Sequence, residues 1–132
     1  MSGSFIDTNI VIYSAMDDHD KADRARAIIE RGPQASVQVL NEFANVARGK
    51  LRWSWSRIES FLDGVTPLVT IHPITVATHD SALRLADRYG FHIYDALIVA
   101  AALATDCDVL LSEDMQHGLL VHNRLTIVNP FI

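Results

Sequence analysis

The sequence predicts an α/β fold, a sandwich in which helices cover both faces of a short parallel central sheet. Short apolar segments such as Val109–Leu111 alternate along the chain with segments whose apolar residues repeat at helical spacing. These short segments are apolar throughout, which is typical of strands buried on both faces. The chain has 132 residues, 49% of them hydrophobic, and no Pro/Gly/Ser-rich linker. We therefore expect residues 1–132 to form a single domain.

The first half of the chain is predicted to contain one strand followed by helices. Ser4–Ile6 is expected to be a strand that ends at Asp7, and Ile10–Tyr13 continues the apolar character. Three helices are predicted next: Ala22–Ile29 with Asp20 as its cap, Val39–Ala47 with Ser36 as its cap, and Ile58–Val65 beginning at Ser54 or Ser56.

The second half is predicted to alternate strands and helices more regularly. Its expected elements are a strand at Leu68–Ile71, a helix from Thr75 to its stop at Gly90, an alanine-rich helix opened by Asp95, and strands at Val109–Leu111 and Leu125–Val128.

Composition limits the classes of protein to which the chain can belong. The formal net charge of −5 argues against a domain that coats nucleic acid by electrostatics alone. No apolar run is long enough to span a bilayer, and the N-terminus lacks the basic region of a signal peptide. Cys107 is the one cysteine, so there is no internal disulfide. We expect a cytoplasmic protein that does not associate with membranes.

Four acidic residues occupy positions that favour a shared site. Asp7 and Asp114 follow the carboxyl ends of predicted strands, where ligands bind in parallel α/β sheets. Asp95 lies in the first turn of a helix, where the helix dipole favours an anion. Glu42 lies in mid-helix between Val39 and Val46 and borders the buried stripe.

Such a cluster of acids needs cations. No Lys or Arg is adjacent in sequence to Asp7, Asp95 or Asp114, and clustered carboxylates without basic partners repel one another. Hard divalent ions such as Mg²⁺ or Mn²⁺ relieve this repulsion, and two of them could activate a water against a phosphodiester.

Simpler roles remain open for each acid at this point. Asp7 could form an Asx turn with Asn9, Asp95 could serve only the helix dipole, and Asp114 could be only a helix cap. Glu42 could pair with Arg48 or with a base from elsewhere in the chain.

Four segments carrying these acids resemble a known family. They are FIDTNI (Phe5–Ile10), SVQVLNEFANV (Ser36–Val46), IYDALIVAAAL (Ile93–Leu103) and VLLSEDMQHG (Val109–Gly118). In this order they make the chain similar to PIN-domain ribonucleases, and in pattern most similar to VapC-type toxins of type II toxin–antitoxin pairs. The resemblance spans essentially the whole chain.

The resemblance implies a PIN-like (Rossmann-like) α/β/α sandwich and Mg²⁺- or Mn²⁺-dependent hydrolysis of RNA. It places the catalytic, metal-binding quartet on Asp7, Glu42, Asp95 and Asp114, and the polar residues that support them on Thr8, Asn9 and Ser112. It also implies a small cognate antitoxin protein as partner and a homodimer.

The chain departs from the family pattern at two positions. His117 stands where some members have a further acid, which puts a fifth ligand in doubt. Glu113 precedes Asp114 directly, so either of them could face the metal, and we favour Asp114.

A basic and aromatic segment follows the second predicted helix. It consists of Arg48, Lys50, Arg52 and Arg57, interleaved with Trp53 and Trp55. It could bind RNA phosphates and stack on a base, form a partner surface, or be a helix junction with one buried Trp.

Two other functions remain open from the sequence. A phosphoryl-transfer domain of the receiver or haloacid-dehalogenase-like phosphatase type would also place an aspartate after its first strand, at Asp7. Such phosphatases have a second acid two residues after the first, and this chain has Asn9 at that position. A catalytically idle PIN-like module that binds RNA or a protein is the other alternative.

Overall fold

Strands and helices alternate along the chain, as the sequence predicts. The structure, a computed structural model, describes residues 3–132. Its strands are β1 (Ser4–Ile6), β2 (Gln34–Ser36), β3 (Thr70–His72), β4 (Val109–Leu111), β5 (Leu120–Val121) and β6 (Leu125–Val128). Its α-helices are α1 (Thr8–Ser14), α2 (Ala22–Glu30), α3 (Val37–Gly49), α4 (Trp55–Val65), α5 (Val76–Tyr89) and α6 (Ile93–Leu103).

The strands form one sheet in the order β3-β2-β1-β4-β6-β5. Strands β3, β2, β1, β4 and β6 pair in parallel, which confirms the predicted parallel core. The edge strand β5 was not predicted, and it pairs antiparallel with β6. A tight hairpin makes this pairing possible, because His122 and Asn123 adopt positive φ angles of 51° and 53° in the turn.

The order of the strands explains how helices come to cover both faces of the sheet. The chain steps from β1 outward to β2 and β3, and then returns past β1 to β4. Because connections between parallel strands are right-handed, the outward and returning helices pack on opposite faces. The central strands are correspondingly buried: Phe5, Ile6 and Leu110 are inaccessible to solvent.

Several predicted boundaries are confirmed by their caps. The hydroxyl of Ser54 accepts a hydrogen bond from the amide of Arg57 at the start of α4. The hydroxyl of Thr75 does the same for Thr78 at the start of α5, which ends at Gly90 with φ of 78°.

Other boundaries differ from the predictions in the first half of the chain. Strand β2 was not predicted, and Ser36 both ends it and begins α3 without a capping hydrogen bond from its side chain. Asp20 does not cap α2, since the N-cap position belongs to Lys21 and Asp20 instead lies 3.0 Å from His19.

The second half shows two similar shifts. Leu68 belongs to a 3-10 helix (Thr66–Leu68), so the strand expected from Leu68 begins only at Thr70. Helix α6 begins at Ile93 with His92 as its cap, two residues before Asp95. Asp95 therefore lies in the first turn rather than opening the helix.

None of the helices between residues 3 and 132 is both long and apolar enough to cross a membrane.

Two glycine substitutions test this description of the helix ends. Gly90 holds a left-handed conformation, so Gly90→Ala is expected to lower the free energy of unfolding by about 1 kcal/mol. Gly64 lies inside α4 with open space around it, so Gly64→Ala is expected to raise it by about 0.5–1 kcal/mol. Urea unfolding measures both, and equal effects of the two substitutions would contradict the assigned helix end.

Candidate active site

The four predicted acids lie around one cavity at the carboxyl end of the sheet. The cavity measures about 370 Å³, and Asp7, Glu42, Asp95 and Asp114 all line it. It opens where the neighbouring strands β1 and β4 end, which is where the strand order reverses. Ligands bind at such a reversal in open α/β sheets because the connections diverge and leave a crevice. The fold thus brings together residues that are 107 positions apart in the sequence.

Asp7 is the most buried of the four, with 3% of its surface exposed. It is the N-cap of α1, and its Oδ1 accepts a 2.6 Å hydrogen bond from the amide of Thr8. Its own amide donates to the carbonyl of Leu111, which ties the end of β1 to the end of β4. The Asp7 side chain therefore caps α1 and lines the cavity at the same time.

Ser112 and Asn9 link Asp7 to the segment that follows β4. The Ser112 hydroxyl donates to Asp7 Oδ2 at 2.7 Å and accepts the amide protons of Asp114 and Met115. Asn9 Nδ2 lies 3.4 Å from Asp7 Oδ2 and 3.2 Å from Asp114 Oδ2. These contacts give Ser112 and Asn9 positions suited to the supporting role that we expected of them.

The structure separates the two neighbouring acids at the end of β4. Asp114 lines the cavity, whereas the Glu113 carboxylate accepts hydrogen bonds from the Tyr13 hydroxyl and the Lys21 ammonium. Burial has the largest single effect on the pKa of Glu113 and raises it. The hydrogen bonds from Lys21 and Tyr13 together outweigh burial, so the pKa of Glu113 is lowered overall. No helix follows Asp114 directly, so it is not a helix cap. The expectation that Asp114 faces the site agrees with this arrangement.

His117 does not line the cavity. Its Nδ1 accepts a hydrogen bond from the amide of Asn129 at 2.9 Å, on an exposed part of the surface. The arrangement therefore gives no fifth ligand at this position.

Glu42 and Asp95 reach the cavity from helices and are both partly buried. Glu42 Oε2 accepts a hydrogen bond from Gln38 Nε2 at 3.0 Å, one turn earlier on α3. The expected alternative, a pair with Arg48, is wrong, because Arg48 donates instead to the carbonyl of Trp53. Burial raises the pKa of Asp95, and the nearby His92 offsets only part of that rise.

Burial and mutual repulsion raise the pKa of three of these carboxyls. Burial raises the pKa of Asp7 from 3.8 to about 7, and the charges of Asp95 and Glu42 add to the effect while Ser112 and Thr8 oppose it. The pKa of Glu42 is raised by burial and then by Asp95, and that of Asp95 by burial and then by Asp114. A site of this kind is strained by its own negative charge.

The donor set fits a hard divalent cation. In the part of the chain from residue 3 onward, no Lys or Arg forms a salt bridge with any of the four acids. The Thr8 hydroxyl is buried at the same cavity, close enough to the Glu42 carboxyl to lower its pKa but outside hydrogen-bond geometry. Carboxylate and hydroxyl oxygens are the ligands that Mg²⁺ and Mn²⁺ prefer.

The four carboxylates surround the cavity without closing into a tight cluster. Among residues 3–132, no group of three acids, histidines or cysteines is close enough to hold an ion between its members. Like charges repel, and a cation between the carboxylates would remove the repulsion. The residues present therefore fit the ion in the chemistry of their oxygens, and binding it requires the carboxylates to come closer together than they stand here.

The basic and aromatic segment divides into a buried and an exposed part. Trp53 is buried against Phe43 and Phe61, with Arg57 stacked over its ring at 4.1 Å. Trp55 is 61% exposed, with Arg48 over its ring at 5.1 Å. One Trp is thus structural, and the structure alone assigns no ligand to the other.

Sequence reasoning missed Gln38 and His92, which shape the site, and placed Lys50 only in the basic and aromatic segment. Gln38 could have been found from its spacing of four residues before Glu42, since such pairs meet on a helix. His92 precedes Asp95 by three residues as the helix cap. Lys50 lines the cavity from beyond the end of α3, and only the tertiary structure reveals this.

Comparison with known proteins gives a consistent result. A family model described as PIN domain matches residues 4–118. No curated protein sequence matches the chain. The chain is similar in structure to a toxin–antitoxin complex from Klebsiella pneumoniae, with a TM-score of 0.72, 18% identity, and coverage of 97% of this chain and 98% of that one.

Two further solved structures are similar to the chain. VapC20 from Mycobacterium tuberculosis, described as a toxin that cleaves the sarcin–ricin loop, has a TM-score of 0.69 and 15% identity over 84% of this chain and 91% of its own. VapBC2 from Rickettsia felis, bound to a fragment of its promoter DNA, has a TM-score of 0.68 and 19% identity over 94% and 96%.

The raised pKa of Asp7 predicts a specific pH dependence of stability in EDTA. Below about pH 4 the carboxyl is protonated in both the folded and the unfolded chain. Between pH 4 and about 7 only the folded chain keeps the proton, so stability falls as pH rises and the loss is complete above 7. In Asp7→Asn we expect the fall to shrink by an amount on the order of 4 kcal/mol.

Denaturant titrations from pH 4 to pH 8 measure this difference. The exposed Asp80 provides the control, and Asp80→Asn should retain the wild-type slope. A wild-type slope in Asp7→Asn would show that the Asp7 carboxyl does not titrate in this range.

Proposed function

Because the chain belongs to the PIN domain family, we propose that it is a nuclease, and specifically a Mg²⁺- or Mn²⁺-dependent ribonuclease. The observation that carries this proposal is the convergence of Asp7, Glu42, Asp95 and Asp114 on one cavity at the switch point of the sheet. Family membership speaks against the receiver-like and phosphatase-like alternatives. The idle module remains an outcome of the tests below.

Asp7, Glu42, Asp95 and Asp114 would hold the cation. When bound, a divalent ion supplies Lewis acidity toward a phosphate oxygen and lowers the pKa of a water molecule. With the ion bound, Asp7 would act as a carboxylate and would release to solvent the proton that its raised pKa lets it keep in the free protein. Ser112 and the Thr8 amide hold the Asp7 carboxylate in a fixed orientation, so little reorganisation is needed when RNA arrives.

The remaining residues of the cavity would orient the substrate. Asn9 bridges Asp7 and Asp114 and thereby links the two sides of the site. Lys50 is exposed at the cavity wall and is suited to contact a phosphate of the RNA backbone.

We further propose that the chain is the toxin of a toxin–antitoxin pair. The support is its structural similarity, nearly end to end, to proteins solved as toxin–antitoxin complexes. The partners would be a small cognate antitoxin protein and a second copy of the chain, and the site of action would be the cytoplasm.

Cleavage assays test the ribonuclease proposal directly. Asp7→Asn and Asp95→Asn are each expected to lower the rate of RNA cleavage in Mn²⁺ by at least about 100-fold, because each removes a charged ligand from the site. Asp80→Asn, on the exposed surface of α5, is the matched control and should cleave at the wild-type rate. Wild-type activity in either site variant would refute the proposed mechanism.

Expression in a bacterial host tests the toxin proposal. Expression of the chain alone is expected to arrest growth, and co-expression with the product of the neighbouring gene should relieve the arrest. Asp7→Asn serves as the control, since loss of cleavage should also remove the arrest. Arrest that persists in Asp7→Asn would mean that growth inhibition does not depend on the carboxylate site.

A further inference from the structure

A second cavity shares a wall with the carboxylate site. It measures about 540 Å³, within the usual range of small-ligand sites, and we call it the amide pocket. Its lining residues are Gln38, Asn41, Glu42, Asn45, Val46 and Tyr94. Glu42 and Val46 also line the carboxylate cavity, so the two cavities adjoin along α3.

The chemistry of the amide pocket differs from that of the carboxylate cavity. Gln38, Asn41 and Asn45 follow a spacing of three and four residues on α3, which places three carboxamides on one helix face. Gln38 is held by its hydrogen bond to Glu42. Within residues 3–132, the side chains of Asn41 and Asn45 make no hydrogen bond, so their donors and acceptors are available to a ligand.

Tyr94 gives the amide pocket an aromatic wall. Its side chain is 53% exposed, and its neighbour in sequence is Asp95 of the carboxylate cavity. His92 packs against the Tyr94 ring with a centroid distance of 5.3 Å, and the Tyr94 amide donates to His92 Nδ1. The ring is therefore supported on one side while its exposed part can stack on a ligand.

From this arrangement we propose that the amide pocket binds the base of the nucleotide next to the scissile phosphate of a single-stranded RNA. The inference rests on the proposed ribonuclease function. Tyr94 stacks on the base, while Asn41 and Asn45 form hydrogen bonds with its edge, as aromatic and amide side chains do in single-stranded RNA recognition. No Lys or Arg lines the pocket in the part of the chain that the structure describes, and Glu42 disfavours a phosphate there. A neutral base fits this lining better than the charged backbone does.

Cleavage of short single-stranded oligoribonucleotides in Mn²⁺ tests the pocket. Tyr94→Leu is expected to lower kcat/KM by between about 5-fold and 150-fold, which corresponds to the usual stacking energy of one base on an aromatic side chain. Asp80→Asn, on the exposed surface of α5, is the control that should keep the wild-type rate, and Tyr94→Phe, which keeps the ring, should lose less than Tyr94→Leu. Asn41→Ala and Asn45→Ala are expected to weaken the preference for one base beside the cut, which sequencing of the products from a randomised substrate measures.

An abasic substrate separates base binding from a purely structural role. Removing the base beside the cut should lower the wild-type kcat/KM at least as much as Tyr94→Leu does, and Tyr94→Leu should cause no further loss on the abasic substrate. Additive losses would overturn the inference. An unchanged base preference in both Asn variants would also overturn it. The same holds if Tyr94→Leu loses the dimer and its activity returns at high protein concentration.

Fluorescence anisotropy measures the binding of the same RNAs and so allows this inference and the proposed function to fail separately. If the wild type cleaves RNA while the pocket variants match it in affinity, rate and base preference, the pocket proposal is wrong and the function stands. If the wild type binds RNA through Tyr94 without cleaving it, the pocket proposal stands and the ribonuclease proposal is wrong. If it neither binds nor cleaves RNA, both are wrong.

Discussion

Burial of the Asp7 carboxylate at the junction of β1 and α1 is the constraint around which this end of the molecule is arranged. A carboxylate removed from water needs compensation, which here comes from the Ser112 hydroxyl and the Thr8 amide. Ser112 can reach Asp7 only because β1 and β4 are neighbours in the sheet. The hydrogen bonds are incomplete compensation, since the pKa of Asp7 still rises to about 7. The fold therefore retains a group that is stable as a carboxylate chiefly with a cation beside it.

The other acids make the Asp7 carboxylate still less stable without a cation, because their negative charges repel it. Glu42 and Asp95 are half-buried on separate helices, and each raises the pKa of Asp7. The chain could have neutralised them with bases, as it does for Glu113 through Lys21. That contrast between adjacent residues distinguishes an acid held for structure from an acid left unpaired. Proteins commonly accept such local instability where function requires it.

Helix α3 connects the charged and the neutral parts of the surface. Its apolar face, with Val39 and Phe43, is fully buried in the core. Glu42 stands at the border between the carboxylate cavity and the amide pocket. A rigid helix that is fixed by its core face can hold groups of different chemistry at constant separation. This division suits a ligand that has a charged backbone and neutral bases, which is the chemistry of the proposed substrate.

The sequence by itself determined the α/β class and the helix signals at Thr75 and Gly90, and it limited the start of α4 to Ser54 or Ser56, because capping residues and apolar spacing report on local structure. It also singled out the four acids as candidates for one site. It did not reveal β2, whose sequence Gln-Ala-Ser has one apolar residue and which exists through pairing with β1 and β3, or β5, whose two residues pair with β6 in a hairpin. Only the tertiary structure decided that Asp114 rather than Glu113 lines the cavity and that Lys50 lies at the cavity wall. The physical reason is that such choices depend on which groups the packed chain brings within hydrogen-bond distance, and local spacing carries little information about contacts made across the fold.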